Sequence, residues 1–316
     1  MPLEILYRDG KEGAVDRTGR VVVPFVYSLL GMWSEGLVTF QLGDDIDEPS
    51  GVLDESGRVV IPARFGTIGE FRGGVAPASD FKTVRTGYIT PDGKWAIPPK
   101  FTHAESFNGD VALAKDDGRW GLIDTSGEWL IEPTWDDIRY ELDEVIVAKL
   151  GKKWGAVRLD GSEAVPFKFV ELALPGGGRI GFRRGKTWGF LDYSGQVVMK
   201  NQFDEVRRFI ADDAASVRKG DVWGLIDPDG EVLVPFEYEW MGDISEGLVA
   251  VKKGGKYGYV DRNGKTVVPP QFESTGEFAD GTALVDRARF IDRTGKVVAE
   301  IDFDAAPAAG PPLEPT

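Results

Sequence analysis

Cysteine is absent from the 316 residues and histidine occurs once, at His103. These absences exclude a cysteine nucleophile, a cysteine-ligated zinc, an iron–sulfur cluster, any disulfide framework and a metal site built on two imidazoles. Positive charge is scarce as well: 37 Lys and Arg stand against 52 Asp and Glu, a net charge of −15. A general nucleic-acid binder needs clustered cations to displace counterions from phosphates, so that function class is not expected, and a basic protein surface is the better partner. Long hydrophobic runs are missing. The longest uncharged apolar stretch, residues 21–34, contains Pro24 and is too short to span a bilayer. The start, Met1-Pro2-Leu3-Glu4-Ile5, shows no basic segment followed by an apolar one. We therefore expect a cytoplasmic protein without membrane insertion, a secreted form with a trimmed leader staying open.

What the sequence does have is 42% hydrophobic residues, 41 glycines and 19 prolines, arranged in a repeat. Trp120-Gly121-Leu122-Ile123-Asp124 recurs as Trp154-Gly155-Ala156-Val157, Trp188-Gly189-Phe190-Leu191-Asp192, Trp223-Gly224-Leu225-Ile226-Asp227 and Tyr257-Gly258-Tyr259-Val260-Asp261. A second glycine follows six residues after each first one. The same spacing appears upstream at Gly13/Gly19, Gly51/Gly57 and Gly87/Gly93, and Arg289/Gly295 is a ninth copy that has lost its first glycine. Successive copies lie 38, 36, 34, 34, 34, 35, 34 and 31 residues apart. Eight residues after the second glycine all nine copies carry an aromatic: Tyr27, Phe65, Phe101, Trp135, Phe169, Phe203, Tyr238, Phe272 and Phe303. Five residues after it, six copies carry proline, at 24, 62, 98, 166, 235 and 269.

Such a period also suits helix pairs, but helices would have to hold glycines and prolines in their interiors, at about 1 and 3 kcal/mol each relative to alanine. The short β-branched runs between them, such as Val21-Val22-Val23 and Val232-Leu233-Val234, read as strands. We expect a unit of three strands, C, A and B. Strand A is the Trp-Gly run, Asp-x-x-Gly closes a hairpin, and B stops at the proline, which cannot donate to a ladder. Strand C, such as Leu248-Val249-Ala250-Val251, precedes A through a Lys/Gly turn. The crossover to the next C has apolar residues at every third position, as in Phe65/Ile68/Phe71, and is read as a 3₁₀-like or polyproline-like span. Leu3, Ile5 and Tyr7 supply the first C strand and Val297-Val298 the last B strand. Residues 1–303 then form one all-β domain of nine three-stranded meanders, an open superhelical solenoid with a closed ring or propeller-like toroid as the alternative. Residues 304–316, rich in Pro and Ala, are expected to be a loose tail.

The Lys153-Trp154-Gly155 run, with the periodic Asp-x-x-Gly, Pro and Phe slots, resembles the bacterial WG-repeat (KWG-repeat) family. The resemblance spans residues 3–303 and departs from the family at the Trp slot of the outer copies, where Glu12, Ser50, Thr86 and Ala288 stand. It implies a β-rich repeat array with no agreed activity or catalytic residues, and no cofactor is expected.

Chemistry is otherwise thin. His103 occupies a slot where other copies have Asp137, Glu171, Glu205 or Thr67, and no Gly-x-Ser-x-Gly elbow accompanies it, so it reads as a repeat variant. The repeated turn aspartates lack the distal glutamate of a calcium loop. The rings of Trp120, Trp154, Trp188, Trp223 and Tyr257 would suit sugar stacking if exposed and inter-repeat packing if buried. Two charged features remain as weak candidates for partner binding. One is the acidic insertion Gly43-Asp44-Asp45-Ile46-Asp47-Glu48-Pro49. The other is a basic rim on the C–A turns, with Arg183, Arg184 and Lys186 at its centre and Lys149, Lys152, Lys153, Lys252, Lys253 and Lys256 around it. The expected function is a non-enzymatic scaffold binding a protein across several repeats, with a carbohydrate- or envelope-component-binding module as the alternative and a carboxylate-only hydrolase third.

Overall fold

The structure, a computed structural model, describes residues 3–43, 48–139, 144–210 and 214–303. Among them there is no helix, and the strands form nine small antiparallel sheets. The first comprises Glu4–Arg8, Lys11–Val15 and Val21–Tyr27, and the last Thr282–Val285, Arg289–Asp292 and Val297–Glu300, which is the expected C–A–B phase at both ends.

Two expectations about the unit are corrected. Six of the nine sheets have four strands. The crossover supplies a two-residue strand in four of these, such as His103–Ala104 and Asp137–Ile138, paired to the outer edge of C. The period of three therefore marks a short strand that runs directly into a turn: one apolar side chain enters the core from the strand (Ala104, Ile138) and the next after the bend (Phe107), and these are buried. Strand B does not stop at its proline but runs through it to the aromatic, as in Glu163–Phe169. Proline is tolerated because B is the edge strand and bulges there: Trp154 pairs with Phe169 and Ala156 with Val165, two steps along A against four along B.

That bulge explains the Trp-Gly pair. Glycine stands opposite it, and a Cβ on Gly155 would lie 2.7 Å from the carbonyl oxygen of Val165 and 2.8 Å from the Phe167 ring. Tryptophan is the direct partner of the slot aromatic, Trp188 of Phe203 and Trp223 of Tyr238. Seven of the nine slot aromatics are buried, while Phe169 and Phe303 are half-buried. The hairpin turns form as expected: Gly127 N–H donates to the Asp124 carbonyl at 2.9 Å, and the Asp124 carboxylate accepts from Ser126 and Glu128 N–H. In the two copies without Asp at that position, Asp92 and Asp160 take over the carboxylate's role.

The sheets group into two compact units, Met1–Thr134 with Glu300–Thr316, and Trp135–Ala299. Within each, the core lies between successive sheets. Val145, Val147 and Trp154 of the fifth sheet pack on Leu172, Ile180 and Phe182 of the sixth, and Trp223, Val234 and Tyr238 of the seventh pack on Met241, Ile244 and Val249 of the eighth. Hydrogen bonds pin other junctions of this kind: Ser34 Oγ donates to the Phe71 carbonyl between the second and third sheets, and Ser245 Oγ to that of Phe278 at 2.7 Å between the eighth and ninth. In the first unit residues 300–303 lie against the first sheet. Asp302 N–H donates to Gly19 O at 3.2 Å and Phe25 faces Phe303 with ring centroids 6.0 Å apart.

Candidate interaction surface

The C–A hairpins stand at equivalent ends of their sheets and differ more from copy to copy than any other part of the repeat. In the second unit most are two-residue turns. Gly151, Gly185 and Gly220 take φ values of 63°, 65° and 58° at the first central position, which matches the twist of the flanking strands. Two of them are anchored by the residue that follows the aromatic slot. Asp136 Oδ2 accepts from Gly151 N–H at 2.6 Å and Asp204 Oδ2 from Gly220 N–H at 2.7 Å.

Near the base of these hairpins the penultimate residue of C pairs with the Trp slot. The cation of Lys115 lies 5.5 Å from the Trp120 ring centroid, Lys149 5.7 Å from Trp154, Arg183 6.0 Å from Trp188 and Lys252 5.1 Å from Tyr257. A second cation, Arg139, stands over Trp154 at 4.4 Å, and Arg207 stands over Trp223 at 5.2 Å. Trp120, Trp154 and Trp223 are buried, and Trp188 and Tyr257 half-buried. A sugar could reach these faces only by displacing a cation–π partner. The ring series belongs to packing, the second of the two readings its sequence position allowed.

The rim cations divide by partner. Arg183 is paired with Glu171 at 2.9 Å and also donates to Gly185 O. Lys253 pairs with Glu237 at 3.1 Å, and Lys256 pairs with Glu273. Lys152, Lys153, Arg184 and Lys186 are exposed, and among the described residues their side chains have no hydrogen bond or ion pair. These four sit on the hairpins of the fifth and sixth sheets, neighbours that share one core. The structure thus places Arg184 and Lys186 on one hairpin and Lys152 and Lys153 on that of the neighbouring sheet, and gives Arg183 to the fold. Of the acidic insertion, Asp44, Asp45 and Asp47 lie outside the described residues. Glu48 turns its carboxylate toward Gly43, whose added Cβ would meet it at 2.3 Å.

His103 is exposed, with Nε2 2.9 Å from Glu105 Oε1 and its ring edge-on to Trp120 at 5.5 Å. No group of three or more acidic, histidine or cysteine side chains among the described residues is placed to hold a metal ion.

One surface feature escaped the sequence reading. In the third sheet the C–A connection is not a two-residue turn but the hexapeptide Asp80-Phe81-Lys82-Thr83-Val84-Arg85, between Ala76–Ser79 and Thr86–Ile89. Its signal was a phenylalanine set among polar residues where most other copies have glycine. It was hidden because the connection is only two residues longer than in the next copy: six residues lie between the paired Ser79 and Thr86, against four between the paired Lys115 and Trp120.

The chain belongs to the WG containing repeat family, whose pattern matches residues 13–44, 51–79, 87–120, 120–154, 188–223, 223–257 and 257–286. No curated protein matches it. Among solved structures, the crystal structure of a eukaryotic initiation factor is similar in fold at 12% identity with a TM-score of 0.62, covering 94% of this chain and 95% of that one. Apo AztD from Citrobacter koseri (12% identity, TM-score 0.46, 95% and 93% covered) and the dihydro-heme d1 dehydrogenase NirN (13%, 0.47, 95% and 72%) are more distant.

Proposed function

We propose that the protein is a non-enzymatic scaffold that binds a protein partner through its C–A hairpins. The observation that carries this reading is the division of labour within the repeat. The turn aspartates are committed to hairpin N–H groups and the Trp-slot rings to packing under cations, so the recurring residues serve the fold. Variation is left to the exposed hairpins, where insertions in repeat proteins project and bind. On the fifth and sixth sheets these carry Lys152, Lys153, Arg184 and Lys186 without internal partners, a local basic patch on a chain of net charge −15. An acidic segment of a partner suits that patch, whereas the overall charge and the 44–48 insertion suit a basic one; a partner with both signs suits the whole protein.

The test is affinity capture from the native cell with quantitative mass spectrometry, comparing wild type with the Lys152→Glu, Lys153→Glu, Arg184→Glu, Lys186→Glu variant. The scaffold reading expects a defined partner set that the variant loses while its melting temperature stays unchanged. Equal capture by both would remove the basic hairpins from the binding surface. Equal enrichment of carbohydrate by both would favour the alternative module.

A further inference from the structure

We infer that the 80–85 loop is a preformed apolar anchor that inserts into a hydrophobic pocket, bordered by carboxylates, on a partner protein; this rests on the scaffold reading above and names one contact within it. Val84 has φ = 56° and is 75% exposed, and Phe81 is 49% exposed. A β-branched residue in the left-handed region is a genuine outlier, one that glycine or asparagine would relieve. Its side chain, largely in water, returns little packing energy within this chain to offset that strain. Strain of this kind is informative when the surroundings enforce it, and here they do.

Asp80 organises the loop. Its carboxylate accepts from Lys82 N–H at 3.1 Å, Thr83 N–H at 2.7 Å and the Thr83 hydroxyl at 2.9 Å, while its carbonyl accepts from Val84 N–H at 2.9 Å. Asp80 N–H donates to Arg85 O at 2.8 Å, closing the loop base. Arg85 then ties the loop to its neighbours, donating to the Lys100 carbonyl at 3.0 Å and to Asp116 at 2.8 Å. Phe81 and Val84 are thus displayed from a rigid base, so that little ordering entropy remains to be lost on binding.

Charge selects the partner. The loop's two nearby carboxylates are both engaged, Asp80 by the turn and Asp116 by Arg85, whereas Lys82 is exposed between the two apolar side chains. The outward charge is positive, which matches an acidic rim around the pocket. Two apolar side chains are too few for stable seating in a lipid surface, which needs a long apolar face or a second anchor, yet one or two such anchors suffice for a protein hot spot. A second copy of this chain is disfavoured because both copies carry −15.

The experiment uses the full chain with a photo-crosslinking phenylalanine at position 81, and in parallel at position 186, irradiated in the native cell; the crosslinked segments are sequenced. Position 81 is expected to link to a protein segment that is apolar with Asp or Glu close by. A synthetic peptide of that segment should bind the full chain and lose affinity about tenfold or more on Phe81→Ser or Val84→Ser, and several-fold on Lys82→Glu. Val84→Gly should bind as weakly while melting no lower than wild type, separating lost contact from lost fold. Linkage of position 81 to lipid, to a second copy, to a segment without acids, or to nothing overturns the inference. If position 186 then still links a protein, the scaffold reading stands; if neither position links, both fall.

Discussion

Arg8 Nη1 donates to the carbonyl oxygen of Phe303 at 2.8 Å, joining the first strand to a residue 295 positions later. The guanidinium also lies 5.2 Å from the Phe303 ring centroid. Around this pair Ile301 is buried, and the hairpin glycine of the first repeat, Gly19, is in backbone contact with residues 300–302.

Gly19 offers a direct test of that contact. Its φ is 86°, and a Cβ would lie 2.0 Å from the Glu300 carbonyl oxygen. Gly264 occupies the same turn position with φ = 80°, but there the nearest atom to a Cβ is Pro235 Cδ at 3.3 Å. Both alanine variants bear the left-handed backbone cost of about 1 kcal/mol. Only Gly19→Ala also displaces the chain end, and it should lose ~2 kcal/mol more in urea denaturation. Equal losses would mean that residues 300–302 are not seated there in solution.

The slot aromatics should dominate stability. Phe203 is 2% exposed and lies between the sixth and seventh sheets with Phe190 and Phe209. Phe203→Ala should cost about 3–5 kcal/mol. Val170, just beyond the preceding slot and exposed, should tolerate alanine within roughly 0.5 kcal/mol. Similar midpoints for the two variants in chemical denaturation would contradict the core described here.

Acid should weaken the fold through its turns. The carboxyl groups of Asp124, Asp192 and Asp292 are held below the usual carboxylate range, first by the hydroxyls of Ser126, Ser194 and Thr294 and then by turn N–H groups. Asp92 is pulled to about 2, by the Lys94 ammonium and then the Thr90 hydroxyl. A carboxyl with a lowered folded-state pKa stabilises fully above the unfolded value of about 3.9, and the contribution is lost as pH falls through the folded value. The denaturation midpoint should therefore be flat near neutrality and drop below about pH 4. In the Ser126→Ala, Ser194→Ala variant the acid limb should be shallower. An unchanged acid limb would mean that these hydroxyls do not stabilise the charged turns.

Calcium should leave the protein indifferent. The turn carboxylates already accept hydrogen bonds, Asp124 Oδ1 from the N–H groups of Ser126 and Glu128 and from the Ser126 hydroxyl, so a cation would have to displace them. Melting temperatures in millimolar calcium and in chelator should coincide, since an ion that binds only the folded state would raise one of them. A calcium-dependent rise of several degrees would point to the acidic insertion around Glu48.

Much of this protein is written in its sequence because the repeat states each local rule many times. Glycine in the hairpin, aspartate before it and an aromatic eight residues on fix the turns, the strand phase and the core positions by short-range sterics and hydrogen bonding. One sequence suffices to read them, and family membership follows. Other features depended on contacts that no local pattern encodes. Strand B continues through Pro166 because it lies at a sheet edge, where a missing N–H costs nothing. The crossover becomes a fourth strand because the edge of C is free to pair with it. Arg183 and Arg184 are adjacent and alike in sequence, yet only the fold gives the first a carboxylate and leaves the second in water. Val84 reads as an ordinary apolar residue until the hydrogen bonds around Asp80 force its backbone to positive φ, and the seating of residues 300–303 on the first sheet links positions too distant for any repeat period to relate. Local geometry is set by neighbours along the chain, whereas partner choice and edge status are set by neighbours in space.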